Sequence, residues 1–224
     1  MSSLYIPKMK NQHIELKEKI CYNSKRLSFQ EASMSELVDR AIVFATEKHS
    51  GQVRKKSSIP YILHPLEVAA IIGGITEDED IICAGLLHDT VEDTDTTPEE
   101  IREVFGSRIY ALVASETEDK LSELPPAETW LERKQNSLLV LEYSSEPGVK
   151  IMWLADKLSN LRSFYRLYLE MGDDMWQIFN QKDKKKQEWY YRAIADYLSE
   201  YSGTTAYEEM CMLIDNIFGG KENE

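Results

Sequence analysis

The residues best suited to chemistry in this chain are His88 and Asp89, which stand side by side in the segment IICAGLLHDTVED. A histidine beside an aspartate offers one nitrogen and one oxygen ligand, a mixture that suits Mn²⁺, Fe²⁺ or Zn²⁺ better than Ca²⁺ or Mg²⁺. On a helix, Glu92 and Asp93 would follow one turn later on the same face, where carboxylates could position and deprotonate a water molecule. The pattern indicates a metal-dependent hydrolytic site.

The same residues also fit an acidic, solvated helix end, and taken alone the two interpretations of HDTVED weigh about equally. Acidic side chains at a helix C-terminus oppose the helix macrodipole. A cation close to these carboxylates would offset that cost, which favours the metal interpretation.

Two further residues could complete such a site. His64, directly before Pro65, would usually be structural on its own, but a second histidine and several acids change that balance. Asp156 forms a polar stripe with Asn160 and Ser163 on an otherwise apolar helix. Burying this carboxylate would be costly unless it were paired, and a metal ion would satisfy it. The alternative is that the stripe is the solvent-facing side of the helix.

A basic segment, HSGQVRKKSSIPY, carries Arg54, Lys55 and Lys56 in a chain whose formal net charge is −13. Arginine and lysine bind phosphate, and Arg54 could also stack on a nucleobase. An acidic surface repels nucleic acid and anionic membranes, so we expect no membrane partner and no direct nucleic-acid binding. A phosphorylated substrate must therefore be attracted by this segment or by a metal ion.

Helical signals recur along the chain and strand alternation does not, so we predict an all-α fold. Predicted helix starts, each marked by a capping residue or a proline, are Ser33, Pro65, Thr76, Thr97 and Pro147. Periodicity predicts further helices at about 127–144, 173–180, 184–201 and 204–218, with a loop at 121–128. The predicted apolar stripe of the helix that carries Asp156 consists of Ile151, Leu154, Leu158 and Leu161.

The cysteines Cys21, Cys83 and Cys211 are far apart in sequence and form no CxxC pair, which is typical of a reduced compartment. The N-terminus has no apolar signal region, and no stretch approaches the roughly 18 apolar residues of a membrane span. We therefore expect a cytoplasmic protein.

Five motifs, in this order, resemble the hydrolase domain of RelA/SpoT homologues, which belong to the HD superfamily. They are AxxFAxxxHxGQxRK at 41–55, PYxxHP at 60–65, LLHDTxED at 86–93, FG at 105–106 and LADKLxNxR at 154–162. The resemblance implies a single HD-domain helical bundle with a C-terminal helical extension and one bound Mn²⁺. The metal ligands that it implies are His64, His88, Asp89 and Asp156. The implied water-activating pair is Glu92 and Asp93, and the implied nucleotide contacts are Arg54, Lys55 and Asn160.

The resemblance also sets the expected domain organisation. Residues 29–218 are predicted to form the phosphohydrolase domain, with core motifs at 41–163 and a helical tail at 164–218. Residues 1–28 are predicted to be an arm of unknown role, and the chain looks like a small stand-alone alarmone hydrolase without a synthetase domain. One departure is Ser159, which stands where the family often has histidine.

The implied reaction is hydrolysis of the 3′-pyrophosphate of guanosine tetra- or pentaphosphate (ppGpp, pppGpp), the alarmones of the stringent response. The products are GDP or GTP and pyrophosphate. The alternatives are the same chemistry on an adenosine alarmone, on the 2′-phosphate of NADPH or on toxin-modified RNA ends, a catalytically silent antitoxin, or a metal ion that only braces the fold. A toxin partner and a homo-oligomer are both left open.

Overall fold

The computed structural model describes residues 34–55, 57–117 and 125–219, and the chain divides into two units between Ser35 and Glu36. The α-helices are α1 (Met34–Lys48), α2 (Leu63–Gly73), α3 (Glu79–Leu87), α4 (Thr90–Asp93), α5 (Pro98–Phe105), α6 (Ser107–Glu116), α7 (Pro126–Tyr143), α8 (Pro147–Met171), α9 (Lys184–Tyr197) and α10 (Thr205–Phe218). Two 3₁₀ segments are Gly172–Ile178 and Ser199–Tyr201. The all-α prediction is confirmed. The predicted arm at 1–28 and the predicted cap Ser33 lie outside the described residues.

The 25-residue helix α8 is the central element, and it packs against α2, α3, α6 and α10. It begins at Pro147, a residue suited to the first helical position because its missing N–H has no intrahelical acceptor there. The Glu146 side chain caps it by accepting a hydrogen bond from the Gly148 amide. All four residues of the predicted apolar stripe are buried. The hydrophobic effect therefore holds α8 in the middle of the bundle.

Helices α2 and α3 cross closely because Gly85 has no side chain. A Cβ atom at this position would lie 2.3 Å from Cδ1 of Ile72 on α2. The close approach brings the C-terminal end of α3, and with it His88, towards α2. The missing side chain of Gly85 thus leaves room for Ile72 beside the end of α3 that carries His88.

Three local predictions were wrong in detail. Asp78, rather than Thr76, caps α3 by accepting from the Asp80 amide, whereas the Thr76 hydroxyl accepts from the Asp78 amide. The helix predicted at 173–180 is a 3₁₀ segment. The predicted loop at 121–128 is too long, because α7 begins at Pro126. Acceptors close together in sequence compete for nearby amides, and sequence spacing alone does not decide which one wins.

The C-terminal helices pack on α8 through aromatic rings. Phe164 of α8 lies edge-on to Trp176 and Tyr191, with ring centroids 5.8 Å and 5.7 Å away. Trp176 in turn stacks on Phe218 of α10 at 5.4 Å. Within the described residues, every helix is too short or too polar to cross a membrane.

Candidate metal centre

Four side chains from three separate segments converge on one point. His64 lies in the first turn of α2, His88 and Asp89 follow the end of α3, and Asp156 lies in the middle of α8. Nε2 of His64 is 3.1 Å from Oδ1 of Asp156 and 3.5 Å from Oδ2 of Asp89. Nε2 of His88 is 3.0 Å from that Asp89 oxygen and 3.7 Å from Oδ1 of Asp156. The structure brings together all four residues that the motifs implied as ligands.

The hydrogen bond made by the other ring nitrogen of His88 bears on whether a cation fits between Nε2 of His88 and the two carboxylates. Nδ1 of His88 is 2.8 Å from the carbonyl oxygen of Gly85, so Nδ1 carries the proton and donates it. The neutral form of the ring then presents a lone pair at Nε2, and this atom is buried without a hydrogen-bond partner among the described residues. A lone pair that faces two carboxylate oxygens is repelled unless a cation lies between them. Two imidazole nitrogens and two carboxylates suit a divalent transition-metal ion.

The electrostatics of the centre keep its carboxylates charged. Burial by itself raises the pKa of Asp89 and of Asp156. For Asp89 the charge of His88 outweighs that effect, and for Asp156 the charge of Lys157 does, so both pKa values lie below the usual range. Burial lowers the pKa of His88, but without an ion Asp89 and Asp156 more than reverse this and raise it, so an ion that binds at Nε2 must displace a proton there. Two anionic ligands are therefore available at neutral pH.

Further side chains hold the carboxylate oxygens in place. The Lys157 ammonium pairs with Oδ2 of Asp156, and Nδ2 of Asn160 donates to Oδ1 at 2.7 Å. The Tyr61 hydroxyl donates to Oδ2 of Asp89 at 2.6 Å. Sequence analysis missed the roles of Tyr61 and Lys157, although both stand inside the motifs PYxxHP and LADKLxNxR. Such supporting contacts orient ligands before an ion binds.

The predicted water-handling pair lies directly after Asp89 on α4. His88 and Asp89 form a turn between α3 and this single helical turn. The Asp93 amide still donates to the Asp89 carbonyl oxygen at 2.9 Å, so these two residues keep the predicted i, i+4 relation. Glu92 is partly buried and Asp93 is exposed. Oδ2 of Asp93 lies 3.3 Å from the Tyr61 hydroxyl, which also contacts Asp89. The pair thus stands at the rim of the centre.

The basic segment contacts the helix that carries Asp156. NH2 of Arg54 is 3.1 Å from Oδ1 of Asn160 and 3.3 Å from the Ser163 hydroxyl. Its guanidinium carbon is 5.6 Å from the centroid of the Tyr61 ring. Lys55 is exposed, and Lys56 lies outside the described residues. The structure therefore joins Arg54 to Asn160 and leaves Lys55 open to solvent.

His49, the remaining histidine of the motifs, supports this segment instead of joining the ligands. Its Nδ1 lies 2.8 Å from Oε1 of Gln52, and Nε2 of Gln52 donates to the Asp93 carbonyl oxygen at 2.8 Å. Its ring also packs 4.9 Å from that of Tyr61, measured between centroids. Hydrogen bonds through Gln52 thus connect the basic segment to α4.

A polar chain behind His64 fixes which ring nitrogen faces the centre. Nδ1 of His64 is 2.8 Å from the Ser159 hydroxyl oxygen, and that hydroxyl donates its own proton to Oε2 of Glu67 at 2.7 Å. The Arg162 guanidinium pairs with Glu67, with NH1 3.0 Å from Oε1, and with Glu209, with NH2 2.6 Å from Oε2. Because the Ser159 proton is used on Glu67, His64 must donate from Nδ1 and keep Nε2 as a lone pair. Both histidines therefore present the same atom type to the centre.

Replacing Ser159 with alanine is expected to weaken Mn²⁺ binding by about 10-fold, the lower end of the effect of losing a hydrogen bond behind a metal-bound histidine. Calorimetric titration of the metal-free full-length protein with Mn²⁺ measures this change. Ser144→Ala, which removes a half-buried hydroxyl at the end of α7, is the matched control and should bind as the wild type does. Unchanged affinity in Ser159→Ala would show that other contacts orient His64.

Glu116, the last residue of α6, is an acidic group that sequence analysis did not single out. Both of its carboxylate oxygens are buried without a hydrogen-bond partner among the described residues. Ligand atoms of Glu116, His88 and Asp156 all lie within 4.8 Å of one another. Burial raises the pKa of Glu116 to about 7. In sequence it stands among other acids, in ASETEDK, without a spacing that would distinguish it.

A family model described as "HD domain" matches residues 41–180 of the chain. A mouse protein named guanosine-3′,5′-bis(diphosphate) 3′-pyrophosphohydrolase MESH1 is 47% identical over 127 residues, 55% of this chain and 66% of that protein. An Aquifex aeolicus protein with the same enzyme name is 40% identical over 131 residues, 58% of this chain and 18% of that protein. The chain therefore spans less than two thirds of the length of either relative.

A similar fold occurs in a solved structure described as "A metazoan ortholog of SpoT hydrolyzes ppGpp and plays a role in starvation responses". The superposition has a TM-score of 0.61 at 28% sequence identity. It covers 86% of this chain and 97% of the other. The helical arrangement that positions the four converging side chains is thus shared with a solved protein.

Proposed function

Because this chain belongs to the HD-domain family, as its motifs predicted, we propose that it is a Mn²⁺-dependent hydrolase of the 3′-pyrophosphate of guanosine tetra- or pentaphosphate. The products are GDP or GTP and pyrophosphate. The observation that carries the proposal is the convergence of two imidazole lone pairs and two carboxylates beside Arg54. The relatives named as 3′-pyrophosphohydrolases support the choice of substrate.

Family membership implies a divalent metal ion, and the residues that would hold it are His64, His88, Asp89 and Asp156. Such an ion lowers the pKa of water and neutralises negative charge that develops on phosphate oxygens. We assign Mn²⁺ because an ion of intermediate hardness suits a mixture of imidazole and carboxylate ligands.

The nucleotide is held by Arg54, Lys55 and Asn160 in this proposal. The Arg54 guanidinium binds phosphate through charge-assisted hydrogen bonds, and it is already oriented by Asn160 and by the Tyr61 ring. Lys55 is exposed and can turn its ammonium towards the same phosphates. A cationic rim of this kind also offsets the general repulsion between an acidic protein and a polyphosphate.

In this proposal, Glu92 and Asp93 orient and deprotonate the attacking water. A carboxylate of this pair accepts a proton from the water, whose oxygen then bonds to the phosphorus attached to the nucleotide 3′-oxygen. The bond between that phosphorus and the 3′-oxygen breaks, and the 3′-oxygen takes up a proton. The Tyr61 hydroxyl, which lies between Asp89 and Asp93, keeps the pair at the edge of the centre.

We further propose that residues 29–218 form the catalytic domain, with core motifs at 41–163 and a helical tail at 164–218, and that the protein acts in the cytoplasm. Neither Cys83 nor Cys211 is in a disulfide within the described residues, which is compatible with a reducing compartment.

The deciding experiment is product identification with the full-length protein, guanosine tetraphosphate and Mn²⁺. Equimolar GDP and pyrophosphate, formed with Mn²⁺ and lost on chelation, are the expected result. Adenosine alarmones, NADPH and pyrophosphorylated RNA ends serve as competing substrates in the same assay. Full activity after chelation, or orthophosphate release from NADPH as the dominant reaction, would contradict the proposal.

Replacing Arg54 with alanine is expected to lower kcat/KM for guanosine tetraphosphate by about 10- to 100-fold, because a hydrogen bond to a charged group contributes about 1.5–3 kcal/mol. Most of this loss should fall on KM if Arg54 binds the substrate and the transition state equally well. Steady-state kinetics give both constants, and Mn²⁺ affinity should stay unchanged. Arg102→Ala, which removes the same charge from an exposed position on α5, is the control. Equal losses in both variants would point to net charge alone.

A further inference from the structure

The unpartnered carboxylate of Glu116 is the least expected group near the metal centre. A buried ionised carboxylate costs several kcal/mol unless it is paired, so such a group usually has a hydrogen-bond donor or a cation beside it. Among the described residues, neither oxygen of Glu116 has a hydrogen-bond partner. Within the part of the chain that the structure describes, the Glu116 carboxylate thus has charged neighbours but no hydrogen-bond donor, and a bound cation would supply what it lacks.

Lys157 is the nearest cationic candidate, and it is already engaged. Its ammonium pairs with Oδ2 of Asp156 and lies 4.6 Å from the centroid of the Trp153 ring. With both histidines neutral, as metal binding requires, the charged groups of the centre are the carboxylates of Asp89, Asp156 and Glu116 and the ammonium of Lys157. Three anions and one cation leave two negative charges, which a single divalent ion neutralises.

We propose that Glu116 is a fifth ligand of the metal ion held at this centre and that it favours Mn²⁺ over Zn²⁺. The inference rests on the metal centre of the proposed function and not on the nucleotide. Its geometric support is the grouping of ligand atoms of Glu116, His88 and Asp156 within 4.8 Å of one another. Two atoms bound at about 2.2 Å to one ion are at most about 4.4 Å apart, so these ligands must move closer together when the ion binds.

The preference for Mn²⁺ follows from the number and type of ligands. Zn²⁺ is satisfied by four ligands in a tetrahedron, which the two histidines and two aspartates already supply. Mn²⁺ prefers a higher coordination number with more oxygen ligands. An additional carboxylate therefore stabilises bound Mn²⁺ more than bound Zn²⁺.

The test compares Glu116→Gln with the wild-type protein in the absence of nucleotide. Competition with a chromophoric chelator measures the dissociation constants of Mn²⁺ and Zn²⁺. We expect the Mn²⁺ constant to rise at least about 10-fold and the Zn²⁺ constant to rise less, since losing even a supporting contact costs about 10-fold. Glu116→Leu, which removes both oxygen atoms, should enlarge the same difference.

Thermal unfolding gives a second test, because the effect of Glu116→Gln on the melting temperature should differ between the metal-free and the Mn²⁺-bound protein. Without metal, Glu116→Gln should not lower the melting temperature, because the carboxylate that it removes is buried without a hydrogen-bond partner among the described residues. With Mn²⁺, the increase in melting temperature on metal binding should be smaller in the variant than in the wild type. Glu188→Gln, which removes a carboxylate paired with Arg192 on α9, controls for net charge and should change neither value.

The outcomes separate this inference from the proposed function. Unchanged Mn²⁺ affinity in Glu116→Gln, or equal losses for both ions, would overturn the role of Glu116 and leave the hydrolase proposal intact. A wild-type protein that binds Mn²⁺ through Glu116 but does not cleave guanosine tetraphosphate would overturn the proposed function alone. A wild-type protein that binds neither ion would overturn both.

Discussion

Replacing Asp156 with asparagine is expected to abolish Mn²⁺ binding and to reduce guanosine tetraphosphate hydrolysis by about 10³-fold or more. A metal ion supplies several kcal/mol of transition-state stabilisation, and each 1.4 kcal/mol corresponds to about 10-fold in rate. Oδ1 of Asp156 lies close to Nε2 of both His64 and His88, so its charge acts on the whole ligand set. Asparagine retains the shape but removes the charge that both neighbours face.

Two measurements make this prediction specific. Calorimetry with Mn²⁺ tests binding, and product release under saturating Mn²⁺ tests hydrolysis. Asp173→Asn, which removes an exposed carboxylate paired with Lys184, is the matched control and should retain both properties. If Asp156→Asn kept a tenth or more of the wild-type rate at low Mn²⁺ concentration, Asp156 would not be a metal ligand.

Replacing Glu92 with glutamine is expected to lower kcat by about 10²- to 10⁴-fold, the usual contribution of a positioned general base. Glutamine retains the size and much of the hydrogen bonding of Glu92 but cannot accept a proton from water. Because Glu92 lies on α4 and outside the four converging side chains, Mn²⁺ affinity should be unchanged.

Stopped-flow or steady-state kinetics at saturating Mn²⁺ would show this separation between binding and chemistry. Glu99→Gln, an exposed carboxylate in the first turn of α5, is the control for charge. A variant with normal kcat and a raised KM would assign Glu92 to substrate binding instead. A variant that lost Mn²⁺ would make it part of the ligand set.

Local sequence signals predicted the helices well where apolar periodicity and a capping residue agree. Pro147 and the apolar stripe that follows it define α8, and Thr97 caps α5 as expected. The prediction was wrong at Thr76, where Asp78 is the cap, because both side chains can accept from amides only a few residues away. When two acceptors of similar strength are neighbours in sequence, only the exact backbone path decides which of them caps the helix.

For the candidate site, the resemblance of the motifs implied His64, His88, Asp89 and Asp156 as a set, and the structure brings these four side chains together. The motifs also placed Glu92 and Asp93 directly after the His-Asp pair. Such signals lie within single motifs, where a few residues of one segment determine which side chains share a face. The part of the candidate site that lies within single motifs is therefore visible in the linear sequence.

The protonation pattern and the surroundings of the site were decided only by tertiary structure. The Gly85 carbonyl sets the Nδ1 proton of His88, and Ser159, contributed by a different helix, sets that of His64. Glu116 comes near the centre because α6 ends there, and no spacing in the sequence indicates it. These contacts join residues far apart in the chain, and hydrophobic packing of α2, α3, α6 and α8 determines which of their faces meet. The segment around His88-Asp89 by itself left a solvated helix end equally open, and only the packing places a second histidine and a second carboxylate beside the pair.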